Sequence, residues 1–197
     1  LTGVPSGFVD LDEMTSGFQP SELVIVAARP SMGKTAFCLN LATNAAENGN
    51  GVAIFSLEMS KDALVQRMLC AEARVDSQSV RRGSLRDTDF TKLARAAGIL
   101  QNCPVWIDDT PALTLLEMRS KARRLRAEND VRLVIVDYLQ LMRSPEYSEN
   151  RVQEISDISR SLKQLARELE VPVIALSQLS RASEQRGGER TPVLSDL

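Results

Sequence analysis

Ala28-Arg29-Pro30-Ser31-Met32-Gly33-Lys34-Thr35 joins an apolar run, Leu23-Val24-Ile25-Val26-Ala27-Ala28, to a helix-forming stretch, Ala36-Phe37-Cys38-Leu39-Asn40-Leu41-Ala42. The apolar run reads as a strand of a buried parallel sheet. A loop between such a strand and a helix collects backbone N–H groups and the positive end of the helix dipole around one anion site. The spacing matches G-x-x-x-x-G-K-[ST] except at its first position, where Ala28 replaces glycine. Alanine fits there provided its φ stays negative. Gly33 supplies backbone freedom and allows close approach. Lys34 reaches the β- and γ-phosphates as a point charge, and the Thr35 hydroxyl is placed to ligate Mg²⁺. Arg29, Pro30, Ser31 and Met32 fill the loop. The expected ligand is a nucleoside triphosphate. A chance match in a strand-to-helix turn is the competing reading, and the flanking strand and helix count against it.

The 197 residues suit a single domain. Opening at Leu1 rather than Met, they are expected to be a piece of a longer polypeptide. Twenty-four basic against 26 acidic residues leave a net charge of −2, so any nucleic-acid contact must come from local patches. Cys38, Cys70 and Cys103 are odd in number, lack C-x-x-C spacing and sit among apolar neighbours, which suits core packing in a reduced, cytoplasmic setting. No apolar run approaches a membrane span and no signal segment opens the chain. Histidine is absent, which removes Ser-His-Asp triads, imidazole acid–base chemistry and His-ligated metals together. Proton handling falls to carboxylates.

Apolar runs at 23–28, 52–57, 104–107, 131–137 and 172–177 read as strands, alternating with helices near 34–48, 60–73, 87–101, 114–128 and 151–169. That alternation predicts an α/β fold around a mainly parallel central sheet flanked by helices. Thr114 with Glu117 is a candidate capping box, and Ser60 and Asp87 are expected to precede two further helices as their caps. Val152, Ile155, Ile158, Leu162, Leu165 and Leu169 lay one apolar stripe along the last helix, to be buried on the sheet. Segments 143–150 and 180–190 show no apolar period and read as exposed loops.

Ligands of open parallel sheets bind outside the carboxyl ends of the strands, which gives weight to polar residues there. Leu133-Val134-Ile135-Val136-Asp137 has the pattern of a Walker B strand, with Asp137 as a Mg²⁺ holder; a strand-end Asp capping a turn is its plain reading. Glu58 follows the second strand and is the candidate general base, since hydrolysis needs a group that orients and deprotonates water. A first-turn Glu favouring the helix dipole is the alternative. Gln178 ends the last strand with an amide able to donate to a phosphate oxygen and accept from water, so it is a candidate γ-phosphate sensor; a solvent-facing strand end is the alternative. Asp108-Asp109 reads as a turn or cap before Thr110-Pro111. The basic run Arg119, Lys121, Arg123, Arg124 and Arg126 scatters over more than one helix face and reads as a solvated or subunit-contact surface.

Taken together, Thr2-Gly3-Val4-Pro5-Ser6-Gly7-Phe8, the loop at 28–35, Phe55-Ser56-Leu57-Glu58-Met59-Ser60, Asp137-Tyr138-Leu139-Gln140-Leu141 and Leu176-Ser177-Gln178-Leu179-Ser180-Arg181 closely resemble the RecA-like motor domain of bacterial replicative DNA helicases, the DnaB family. The likeness spans nearly the whole chain. It implies a RecA-like P-loop NTPase using ATP and Mg²⁺, assembled as a homohexameric ring around one DNA strand in the cytoplasm at replication forks. In such a ring, hydrolysis at subunit interfaces drives 5′-to-3′ translocation and duplex separation. Primase and a helicase loader are implied partners. The arginine finger and final sheet strands are expected beyond the equivalent of Leu197, and the collar domain before Leu1. Lys34, Thr35, Glu58, Asp137 and Gln178 match positions carrying the roles argued above.

DNA contact in the family comes from loops lining the channel, which makes Arg143, Asn150, Arg151, Arg181, Arg186 and Arg190 candidates for phosphates, with Gly187 and Gly188 letting the backbone approach. Only Tyr147 is at hand to stack a base, so tracking of the backbone without sequence preference is expected. A RecA-type recombinase, a module using ATP only to assemble, and a small-molecule kinase are the competing readings.

Overall fold

The computed structural model describes residues 1–137 and 151–179, apart from the side chains of 151–154. Its elements run α1 (Val9–Thr15), β1 (Leu23–Ala28), α2 (Lys34–Glu47), β2 (Gly51–Ser56), α3 (Lys61–Ala73), α4 (Ser77–Arg82), α5 (Asp87–Leu100), β3 (Val105–Asp108), α6 (Leu115–Glu128), β4 (Val131–Asp137), α7 (Arg151–Leu169) and β5 (Val173–Gln178). The five strands form one sheet in the order β1-β5-β4-β2-β3, every neighbour parallel. Because the strands are parallel and the links between them are helical, all their carboxyl ends face the same way. Ala28 lies opposite Gln178, and Ser56 opposite Asp137.

Alternation along the strands sorts the core into two layers, as period-2 geometry requires. One set, Val52, Ile54, Leu133, Ile135, Ile174 and Leu176, packs with α2 and α3 through Leu39, Leu41, Leu64 and Met68. The other, Ala53, Phe55, Val134, Val136, Val173 and Ala175, packs with α6 and α7 through Met118, Ala122, Ile158, Leu162 and Leu165. The stripe read on the last helix is thus core from Ile158 to Leu169, with Ile155 half-buried. A small satellite core of Ala73, Val75 and Ala96 seats the α3–α5 excursion.

Each expected strand and helix is present within a residue or two. Two short helices, α1 and α4, have no counterpart in the apolar periodicity. Asp76 makes α4 by accepting from the N–H groups of Gln78 and Ser79, and Gly83 ends it at φ 66°. Such a turn and a half is made by its caps rather than by a buried stripe. Thr114 and Glu117 form the expected capping box, and Ser60 caps α3 by accepting from Ala63. Asp87 is a correction: Arg86 is the N-cap residue of α5, and Asp89 takes both its N–H and its guanidinium, at 3.1 and 3.3 Å. An aspartate three residues into the helix can reach back to the unpaired amide, whereas Asp87 is already helical.

Candidate nucleotide site

The loop after β1 enters the left-handed region twice. Ser31 takes φ 62° and Gly33 φ 85°, while Ala28 stays out of the left-handed region as its alanine demands. Among the described residues, nothing beyond its chain neighbours comes within 4 Å of where a Cβ on Gly33 would stand, so its requirement is the positive φ rather than crowding. Gly33 is the N-cap of α2, whose first amides have no intrahelical acceptor. Leu179 donates to the Ala28 carbonyl at 3.1 Å, pinning the end of β5 to the start of the loop.

Around this loop lies a cleft of about 290 Å³, lined by residues 28–31, Gly33, Lys34, Thr35, Ala36, Glu58, Met59, Arg67 and Gln178. Loop residue Met32 is outside that lining and is itself 72% exposed at the loop tip. Asp137 closes β4 behind the cleft, 3% exposed, where its Oδ2 accepts the Thr35 hydroxyl at 2.9 Å. Its Oδ1 is buried without a hydrogen-bond partner among the described residues. Burial raises the Asp137 carboxyl above the ordinary carboxylate range; the Thr35 hydroxyl and Lys34 oppose this, Glu58 adds to it, and Arg67 opposes it. Beneath the loop, burial and the Asp137 charge push the Cys38 thiol up to about 12, so that sulfur is packing material and not a nucleophile.

Lys34, Thr35, Glu58 and Gln178, separated by up to 144 positions in the chain, therefore share one cleft, with Asp137 joined to it through Thr35. Arg67 was not singled out by motif or spacing. Leu64 and Met68 on α3 are buried, so a residue between them on the helix surface stands at the rim of the buried face; that placement is the signal that marks it. Asp108 and Asp109 do act as cap and turn residues: Asp108 accepts from the Thr110 N–H at 3.0 Å, and Asp109 from the Lys61 N–H at 2.7 Å. Most of the basic run on α6 is engaged within the chain. Arg119 and Arg123 meet Glu168, Lys121 meets Asp108, and Arg126 meets Asp130. Among the residues named for DNA, Arg143, Asn150, Arg181, Arg186, Gly187, Gly188 and Arg190 lie outside the described residues, and Arg151 is described only as the first residue of α7.

Residues 3–197 match the family model of the DnaB-like helicase C-terminal domain. The chain is 57% identical to the replicative DNA helicase DnaB of Geobacillus stearothermophilus over its whole length, spanning 44% of that protein. It is 54% identical to the replicative DNA helicase DnaC of Bacillus subtilis, again spanning 44% of it. Among solved structures, a DnaB-like replicative helicase described together with its interactions with primase superposes at a TM-score of 0.93 and 43% identity, over 99% of this chain and 47% of that one. The match to the family model runs along nearly all 197 residues, and the chain belongs to the DnaB-like helicase C-terminal domain family.

Proposed function

We propose that the chain is the motor domain of a replicative DNA helicase, hydrolysing ATP to drive 5′-to-3′ movement along single-stranded DNA and separation of the duplex within a homohexameric ring. The observation that carries the reading is the convergence of Lys34, Thr35, Glu58 and Gln178 on one cleft, with the buried Asp137 bonded to Thr35 behind it. In this reading the triphosphate lies along residues 28–35, and Lys34 balances charge on the β- and γ-phosphates. Glu58 takes a proton from the water that attacks the γ-phosphorus; the bond to the ADP oxygen breaks, and phosphate departs. Gln178 donates to a γ-phosphate oxygen and so distinguishes the triphosphate from the diphosphate. Arg67 adds a second cation to the cleft.

The donors suit Mg²⁺. Thr35 and Asp137 offer only hard oxygen atoms, and the unpartnered Asp137 Oδ1 is an acceptor with capacity to spare. When bound, Mg²⁺ supplies neutralisation of phosphate charge.

DNA contact is assigned to Arg143, Asn150, Arg151, Arg181, Arg186 and Arg190 with Gly187 and Gly188, by backbone tracking. Primase and a loader are proposed partners, and the bacterial cytoplasm the proposed location. The test is a combined ATPase and strand-separation assay on the full-length protein. ATP turnover rises on adding single-stranded DNA, and Lys34→Ala and Glu58→Gln each lower it by at least about 100-fold. Stimulated hydrolysis without strand separation would move the assignment to a recombinase-type ATPase. Normal turnover in Glu58→Gln would remove Glu58 as the base.

A further inference from the structure

Glu58 stands in the short connection between β2 and α3, exposed in the cleft. A catalytic group on a connection is only as well placed as the anchors of that connection. Two anchors are local to the site. The Leu57 N–H donates to the Asp137 carbonyl at 2.7 Å; the Ser56 hydroxyl donates to the Met59 carbonyl at 2.7 Å and accepts the Met59 N–H at 3.2 Å.

The third anchor comes from another strand. Asp109, just past β3 and outside the cleft lining, accepts the Lys61 N–H at 2.7 Å across 48 positions of sequence. Lys61 is the first residue of α3, so its amide has no acceptor within the helix, and a carboxylate at that end is favoured by the helix dipole. The turn that carries Asp109 is itself held. Lys121 of α6 donates to the Asp108 carboxylate at 2.6 Å and to the Thr110 hydroxyl at 2.7 Å, on either side of Asp109.

We propose that Asp109 is a positioning residue for Glu58: by fastening the first turn of α3 to the end of β3, it sets where the Glu58 carboxylate stands in the cleft. The inference rests on Glu58 acting as the base. Removing the tether leaves the phosphate-binding loop untouched, so it lowers the rate of the chemical step and not the affinity for nucleotide.

The experiment measures DNA-stimulated ATPase kinetics of the full-length protein together with binding of a fluorescent ADP analogue. Asp109→Ala lowers kcat about 10-fold, the order expected of a displaced catalytic group, while KM and analogue affinity stay within about twofold. Asp109→Asn recovers most of the rate, because its amide oxygen accepts the same N–H. Ser60→Ala removes the cap internal to α3, where Ser60 accepts from the Ala63 N–H at 3.4 Å, but keeps the tether, and it turns over near the wild-type rate. Full kcat in Asp109→Ala, or an equal fall in Ser60→Ala, overturns the proposal; so does a parallel loss of analogue affinity. Glu58→Gln is run alongside. An inactive Glu58→Gln with a fully active Asp109→Ala defeats the tether alone, whereas an active Glu58→Gln defeats the base on which it rests.

Discussion

Burying a carboxylate with one oxygen unpartnered costs stability, and Asp137 is kept in that state at the end of β4. Its carboxyl is raised by burial, so between the ordinary carboxylate range and the raised value the folded protein binds more protons than the unfolded one. Stability therefore falls as pH rises through that window, and the full cost is present above it. Asp137→Asn keeps an acceptor for Thr35 and sheds the charge. We expect it to melt a few degrees higher than wild type at neutral pH, the shift that about 1 kcal/mol gives a domain of this size. The gap narrows as pH falls through that window, where the wild-type carboxyl takes up its proton, and is closed below the ordinary carboxylate range. The same variant loses ATP turnover. Thermal melts at two pH values with an ATPase assay check all three outcomes, and an Asn variant that melts lower at neutral pH would contradict the cost assigned to the buried charge.

At the scale of elements, local rules carried most of the reading and failed where contacts are long in sequence. The strands and long helices were legible because wholly apolar runs and three-four stripes leave few alternatives. The helix α1 was not, because what holds it is a contact rather than a pattern: Asp12 accepts the N–H groups of Ser6 and Gly7 at 2.8 and 3.1 Å, and Asn44 of α2 donates to the Ser6 carbonyl at 2.9 Å. Burial works to raise the Asp12 carboxyl, but these donors outweigh it and hold it below the ordinary range. Asp12→Ala leaves two amides without their acceptor and should destabilise the protein by about 1–3 kcal/mol, read as a shift in urea midpoint. Because the folded-state value is depressed, the difference between wild type and variant persists at neutral pH and closes as pH falls through it. Of the residues the cleft brings together, Lys34 and Thr35 were read from the loop motif, and Glu58, Gln178 and the adjoining Asp137 from strand ends. Arg67 and the tether at Asp109 were not, since each depends on how α3 lies against its neighbours.

For the whole molecule, a ligand that binds only the folded state stabilises it by mass action. Mg²⁺ with a slowly hydrolysed ATP analogue at about 100 times its Kd should add about 2.7 kcal/mol. Lys34→Ala should lose that gain while melting close to wild type without nucleotide, a comparison made by thermal shift with and without the analogue. An equal shift in both proteins would place the ligand elsewhere.

The in-register pairing of Ala28 with Gln178 and of Ser56 with Asp137 also limits how such a chain can change length. A one-residue deletion inside β4 or β5 would swap the strand's side chains between the two core layers, and a two-residue deletion would draw its terminal side chain back by about 6.6 Å. Either would separate groups that share or adjoin one cleft. Length variation between natural versions of this domain should therefore gather in connections such as the one between α4 and α5, and leave the strands uncut.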